Sequence, residues 1–165
     1  GVCEWYDIEG YALDKYVAEQ GEFLTNKIKN MIVENPDIIN KQKKDIIYVI
    51  SPFKNVAYQL SKELNKIEFT RYDKKGKPTN IGTVHTFQGK EAPIVFFVLG
   101  ADKKCIGAAN WAVGTDNPNI MNVAVTRAKE EFYIIGDKEM YLSLNSDVIN
   151  DTCKIIEKHN MNTSL

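Results

Sequence analysis

The chain is poor in several things at once. It has three cysteines, two histidines and, among 21 basic residues, only two arginines, Arg71 and Arg127. Cys3, Cys105 and Cys153 are odd in number and far apart, with neither a C-x-x-C pair nor a histidine at ligand spacing. That pattern argues against a disulfide framework and a metal site, and reads as three reduced thiols. No apolar run is long enough to cross a bilayer, and the first residues lack the charged start and apolar core of a signal peptide. The expectation is a cytoplasmic protein with no membrane partner. There is no G-x-x-x-x-G-K-[ST], so the chain has no phosphate-cradling Walker A loop of its own. A net charge of −1 excludes a global basic footprint, and any contact with nucleic acid has to be local.

What is present fits one domain over residues 1–165. The length buries a real core, and 44% hydrophobic with 26% charged residues is ordinary for a globular chain. The abrupt start G-V-C-E-W-Y suggests a piece of a longer protein. Trp5, Tyr6 and Ile8 suggest a short strand, and apolar residues recur at helical spacing from Leu13 to Val33, with Gly21 a possible break. Asn35 and Pro36 end that helix. Ile46 to Ile50 is a continuous apolar run, hence a central parallel strand. Val56, Leu60 and Leu64 share one face of a following helix. Ile67 and Phe69 hint at an edge strand inside an exposed loop from Lys66 to Asn80, and Ile94 to Leu99 reads as a buried strand. Ala101 to Asn119 is a long polar connection, Glu131 to Asp137 a strand, Lys138 to Leu144 a short helix, and a closing helix follows from Asp147. Alternating strands and helices predict an α/β layered domain with a mainly parallel sheet.

Chemistry concentrates in a few places. Between the apolar runs at Ile81 and Ile94 lie His85, Thr86, Phe87, Gln88, Gly89, Lys90 and Glu91. They offer a hydroxyl, an imidazole, an amide, a glycine where backbone can approach a ligand, and a carboxylate able to accept from a sugar hydroxyl. At a strand end of a parallel sheet, such a segment suits phosphates and ribose. The stretch N-V-A-V-T-R-A-K from Asn122 to Lys129 reads as a short, tightly docked helix that delivers Arg127. Arginine there is either a planar, permanently charged fork or the chance survivor of a lysine bias. Ser51, at the end of a strand, either contacts a phosphate or caps the next helix. The cations at 41–44 and 71–77 sit in solvated loops or touch a nucleic-acid backbone. The Trp111 ring either stacks on a base or anchors its loop.

Three of these segments resemble a known family in its own motif order. V-I-S-P-F-K from Val49 to Lys54 resembles motif IV, T-V-H-T-F-Q-G-K-E from Thr83 to Glu91 motif V, and N-V-A-V-T-R-A-K motif VI of superfamily 1 helicases, in the branch with a T-V-x-x-F-Q-G-x-E signature. The resemblance implies a three-layer RecA-like domain of the P-loop NTPase type, the C-terminal lobe of an ATP-dependent helicase or translocase. ATP and Mg²⁺ would lie between it and an N-terminal RecA-like lobe of the same polypeptide, which carries the phosphate loop and the metal-binding acid. Arg127 would be the arginine finger, with Gln88 beside it as a catalytic residue, Gly89 near the phosphates and Glu91 on the ribose. Ser51, Phe53, Thr83, His85 and Thr86 would hold single-stranded DNA or RNA. This chain alone would hydrolyse no ATP. The family's glutamine after the motif IV aromatic is missing, since Lys54, Asn55 and Val56 follow Phe53. Two other readings are a non-catalytic helicase-like interaction module and a flavodoxin-like domain, the latter disfavoured by the lack of glycine in Ser51 to Asn55. The helicase reading requires the Arg127 guanidinium and the Glu91 carboxylate to point into a shared crevice on one rim of the sheet, with neither buried beneath other side chains.

Overall fold

In the computed structural model, which describes residues 1–113 and 119–144, the apolar runs become the middle of a parallel sheet. Strand β1 (Val2–Asp7) leads into a small antiparallel hairpin, β2 (Ala12–Leu13) with β3 (Tyr16–Val17). Helix α1 (Ala18–Glu34), strand β4 (Ile47–Ile50), helix α2 (Lys54–Asn65) and the two-residue strand β5 (Ile81–Gly82) follow. Strand β6 (Ala92–Val98), helices α3 (Ile106–Val113) and α4 (Asn119–Val125) and strand β7 (Ala128–Gly136) come next, and residues 138–144 are helical. The five-stranded sheet has the order β1-β7-β6-β4-β5 with every pairing parallel. All four β4 residues are buried, as are Ile94 to Val98 of β6, which is why both read as unbroken apolar runs rather than alternating ones.

The strand order fixes the layers. From β1 to β4 to β5 the chain moves one way across the sheet, and from β5 to β6 to β7 it moves back. Right-handed crossovers then set α1 and α2 on one face and the returning connections, α3 and α4, on the other. In keeping with this, α1 packs on α2, α3 packs on α4, and α4 lies against β6 and β7. Leu24 and Ile28 of α1 and Val56, Leu60 and Leu64 of α2 are fully covered. The result is the expected α/β three-layer RecA-like arrangement.

Several local expectations are corrected. The helix starts at Ala18 rather than Leu13, because residues 12–17 turn back as a hairpin through Asp14 and Lys15, both at positive φ. Gly21 does not break α1; it lies buried beneath the Tyr16 ring, whose Cζ comes within 2.9 Å of where a Cβ would stand. Phe69 is no edge strand but a buried plug under α2: its N–H donates to Leu64 O at 3.1 Å, and Asn80 Nδ2 donates to its carbonyl at 2.9 Å. The connection from Ala101 is helical over Lys103–Cys105 and α3. Cys105 carries a free thiol, and Cys153 lies outside the described residues. The closing helix from Asp147 lies outside the described residues.

The basic loops are tied down rather than loose. Arg71 donates from Nη1 to Lys43 O at 2.6 Å and from Nη2 to Asn40 O at 2.8 Å, and its Nε lies 3.2 Å from Asp45 Oδ1. Lys41 Nζ donates to Glu68 O and Thr70 O at 2.9 and 3.0 Å. Together they staple residues 40–45 to residues 68–71, and Arg71 is occupied by its own protein.

Candidate functional site: a groove and a rim

Parallel register decides which ends of the strands carry which residues. Ile50 pairs with Gly82 on one side and Phe97 on the other, so Ser51 and Thr83 both leave at the carboxyl rim. Ala92 pairs with Ala128 at the starts of β6 and β7, so Glu91 and Arg127 both sit at the amino rim. The residue steps from Ala92 to Phe97 amount to about 16 Å of strand. The segment from Thr83 to Glu91 thus runs from one rim to the other, and its two halves face different places.

At the carboxyl rim a groove of about 890 Å³ opens, lined among others by Phe53, Thr83, His85, Lys15, Lys54 and Trp111. Three of the five residues expected to hold a strand are therefore together. Ser51 stands beneath them, buried, its Oγ accepting from Phe53 N–H at 3.2 Å. That is a serine turn that aims the chain into α2, whose N-cap is Phe53. Ser51 therefore does not cap the helix, and it presents no free surface. Thr86 is half-buried with its side chain against the Gly82 Cα. His85 is exposed. Phe53 is itself covered, with the Trp111 ring 5.9 Å away on one side and the Lys15 ammonium 5.5 Å from its centroid.

The amino rim is organised by Phe87. The helical turn Val84–Phe87 drives this side chain into the core, where its ring lies 4.5 Å from that of Tyr48. The buried ring fixes the carbonyl that follows, and Arg127 Nη1 donates to that carbonyl at 3.1 Å. Arg127 stands two residues beyond α4, in the turn into β7; its own carbonyl accepts from Ala92 N–H at 2.9 Å. Nη2 donates to Thr126 Oγ1 at 3.2 Å, while Nε is buried without a partner among the described residues. Gln88, Gly89 and Glu91 are exposed next to it. Gly89 has φ +73, and a Cβ there would meet nothing within 4 Å. Nη1 and Nη2, which each make one bond and keep a second N–H, together with an open backbone shelf and an exposed carboxylate, make a donor and acceptor set that fits phosphate and ribose.

Sequence reasoning missed Lys15, since a residue inside a presumed helix gives no hint of a hairpin tip at a groove. It left Trp111 undecided, and the structure puts that ring half-exposed at the groove wall. Asp7, Glu9 and Asp137 gather their carboxylates closely, but Asp137 accepts from Met140 N–H and Asp7 from Lys138 N–H, as helix-start acceptors.

Comparison with known proteins bears on the family of the domain. A family model described as an AAA domain matches residues 13–139. The chain is 30% identical over 130 residues to the protein named Helicase sen1 of Schizosaccharomyces pombe, an alignment spanning 77% of this chain and 7% of that protein. No described helix is long and apolar enough to cross a membrane. The three motifs, the all-parallel sheet and the matched model converge: the chain belongs to the AAA domain family, as a RecA-like domain of the superfamily 1 helicase type.

Proposed function

We propose that the chain is the second lobe of an ATP-dependent DNA or RNA helicase or translocase, giving one rim to the nucleotide and one groove to a single strand. The observation that carries this is the segregation of the matched residues: Phe53, Thr83 and His85 gather in the groove, and Gln88, Gly89 and Glu91 lie beside Arg127 some 16 Å of strand away. One function would not need two such places; nucleotide-driven movement on a strand does.

In this reading ATP is held mainly by an N-terminal RecA-like lobe of the same polypeptide. Mg²⁺, when bound there, neutralises phosphate oxygens. The acidic trio at Asp7, Glu9 and Asp137 follows the ends of β1 and β7 on the opposite rim from Arg127, and is not its ligand set. Arg127 extends its fixed charge toward the terminal phosphate, with Gln88 alongside. Gly89 lets the backbone approach the phosphates, and Glu91 accepts from a ribose hydroxyl. Thr83 and His85, with Ser51, Phe53 and Thr86 shaping the floor, bind the strand through its phosphates, a contact that is salt-dependent and largely blind to sequence.

The test is Arg127→Ala in the protein carrying both lobes. Nucleic-acid-stimulated ATP turnover should fall by roughly 10³- to 10⁵-fold, as for other arginine fingers, with the circular dichroism spectrum unchanged. Unaltered turnover would remove the finger assignment, and measurable turnover by the purified chain alone would remove the two-lobe reading.

A further inference from the structure

The groove contains an exposed aromatic ring that the strand-binding assignment above does not use. Trp111 projects from α3, and it matches none of the three motifs. One side of its indole rests against Phe53, with centroids 5.9 Å apart and planes tilted by 33°. The residue keeps 45% of its surface exposed. Phe53, by contrast, keeps only 6%. Any flat ligand entering the groove therefore meets the indole and not the phenyl ring. Lys15 and Lys54 line the same groove as His85 and Thr83; Asp14 also lines it, 3.4 Å from the Lys15 ammonium, so the lining keeps an excess of one cation, the sign a polyanion requires. A large exposed aromatic flanked by cations and hydroxyls is the pattern that receives a base on the ring and a phosphate on the cations.

We propose that Trp111 is a base-stacking residue of this groove, taking one unpaired base of a single strand on its free face. Phe53 backs the indole from behind, and Lys15 and Lys54 neutralise the adjoining phosphates. The proposal rests on the nucleic-acid reading above and deepens it, because it says that the groove grips bases as well as backbone. Stacking tolerates any base, so the contact adds affinity without sequence preference.

The experiment uses the full 165-residue chain at low ionic strength with two probes: a thymidine dodecamer, and a dodecamer of the same backbone made of abasic residues. In a Trp5→Phe background, Trp111 is the only indole. The thymidine strand should quench its emission, and the abasic strand should bind more weakly and leave the emission nearly unchanged. Trp111→Ala should weaken thymidine binding by roughly 5- to 100-fold while leaving the abasic affinity alone, and Trp111→Phe should restore most of the loss. If the chain binds both probes equally and Trp111→Ala changes neither affinity, the stacking role is wrong while the strand-binding reading stands. Should neither probe bind or change the emission, as a protein-docking surface would behave, both readings fall.

Discussion

Arg127 Nη1 reaches the carbonyl oxygen of Phe87 at 3.1 Å, so the last residue of the turn that begins at the groove holds the guanidinium at the opposite rim. Phe87 is fully buried and cannot shift without disturbing Tyr48. The bond therefore aims the arginine from a rigid base. Its geometry also differs from that of Arg71, which is occupied by two backbone carbonyls and a carboxylate. Two arginines in a lysine-rich chain thus do separate things: one staples a loop, and the other keeps donors in reserve.

The first prediction follows from that reserve. Arg127→Lys keeps the charge but loses the planar fork, and an ammonium cannot hold Phe87 O while also presenting parallel N–H groups. Stability should fall by only about 1 kcal/mol, the net worth of a hydrogen bond. ATP turnover of the protein with both lobes should fall nearly as far as for Arg127→Ala. A lysine variant with close to full turnover would show that charge alone suffices.

Much of this was readable from the chain, and the reasons differ by element. Ile47 to Ile50 and Ile94 to Val98 are buried on both faces, and double burial leaves an apolar run that no loop imitates. The neighbourhood of Glu91 and Arg127 followed from motif order, and the Ala92–Ala128 pair places both backbones at one rim. The hairpin at 12–17 was illegible because Leu13, Tyr16 and Val17 fall at helical spacing, although Leu13 is 83% exposed and contributes nothing to the core. Ser51 illustrates another limit. Its position at a strand end was correct, but only coordinates reveal that its hydroxyl is already engaged by Phe53 N–H.

Gly21 gives a second prediction. Glycine inside a helix normally costs about 1 kcal/mol relative to alanine, so Gly21→Ala ought to stabilise α1. Here the added methyl collides with the Tyr16 hydroxyl and ring. The substitution should instead destabilise by about 1 to 3 kcal/mol, as overpacking does. Combining it with Tyr16→Phe removes the nearest atom, and the double variant should recover part of the loss. Strict additivity of the two in urea unfolding would contradict the contact.

Asp45 yields a pH prediction. Burial raises its carboxyl pKa above the ordinary 3.8, against the pull of Arg71, Lys90 and Lys41. A carboxyl with a raised folded pKa holds its proton longer in the native state than in the unfolded one. Stability from this group is therefore greatest at low pH and declines as pH rises from 3.8 through the raised value. Asp45→Asn cannot ionise and should remove that decline. Measured by urea midpoints from about pH 3.5 to 7, the variant should gain on the parent as pH rises through this window. A constant difference across the range would mean that Arg71 fully compensates the burial.

Gly89 supplies the sharpest separation of folding from function. Its φ of +73 lies in the left-handed region, where a side chain costs roughly 1 to 2 kcal/mol, yet a Cβ there would touch nothing within 4 Å. Gly89→Ala should therefore lower stability by about 1 kcal/mol through backbone strain alone. If that open space is where the backbone approaches a phosphate, the methyl occupies it, and the KM for ATP in the protein with both lobes should rise by well over the factor of about 5 that such strain corresponds to. Gly89→Asn provides the control for strain, since asparagine tolerates the left-handed conformation while filling the same space. It should be less destabilised than the alanine variant but equally impaired toward ATP. An asparagine variant with normal ATP affinity would show that only the backbone angle matters at 89, and would detach this glycine from the nucleotide site.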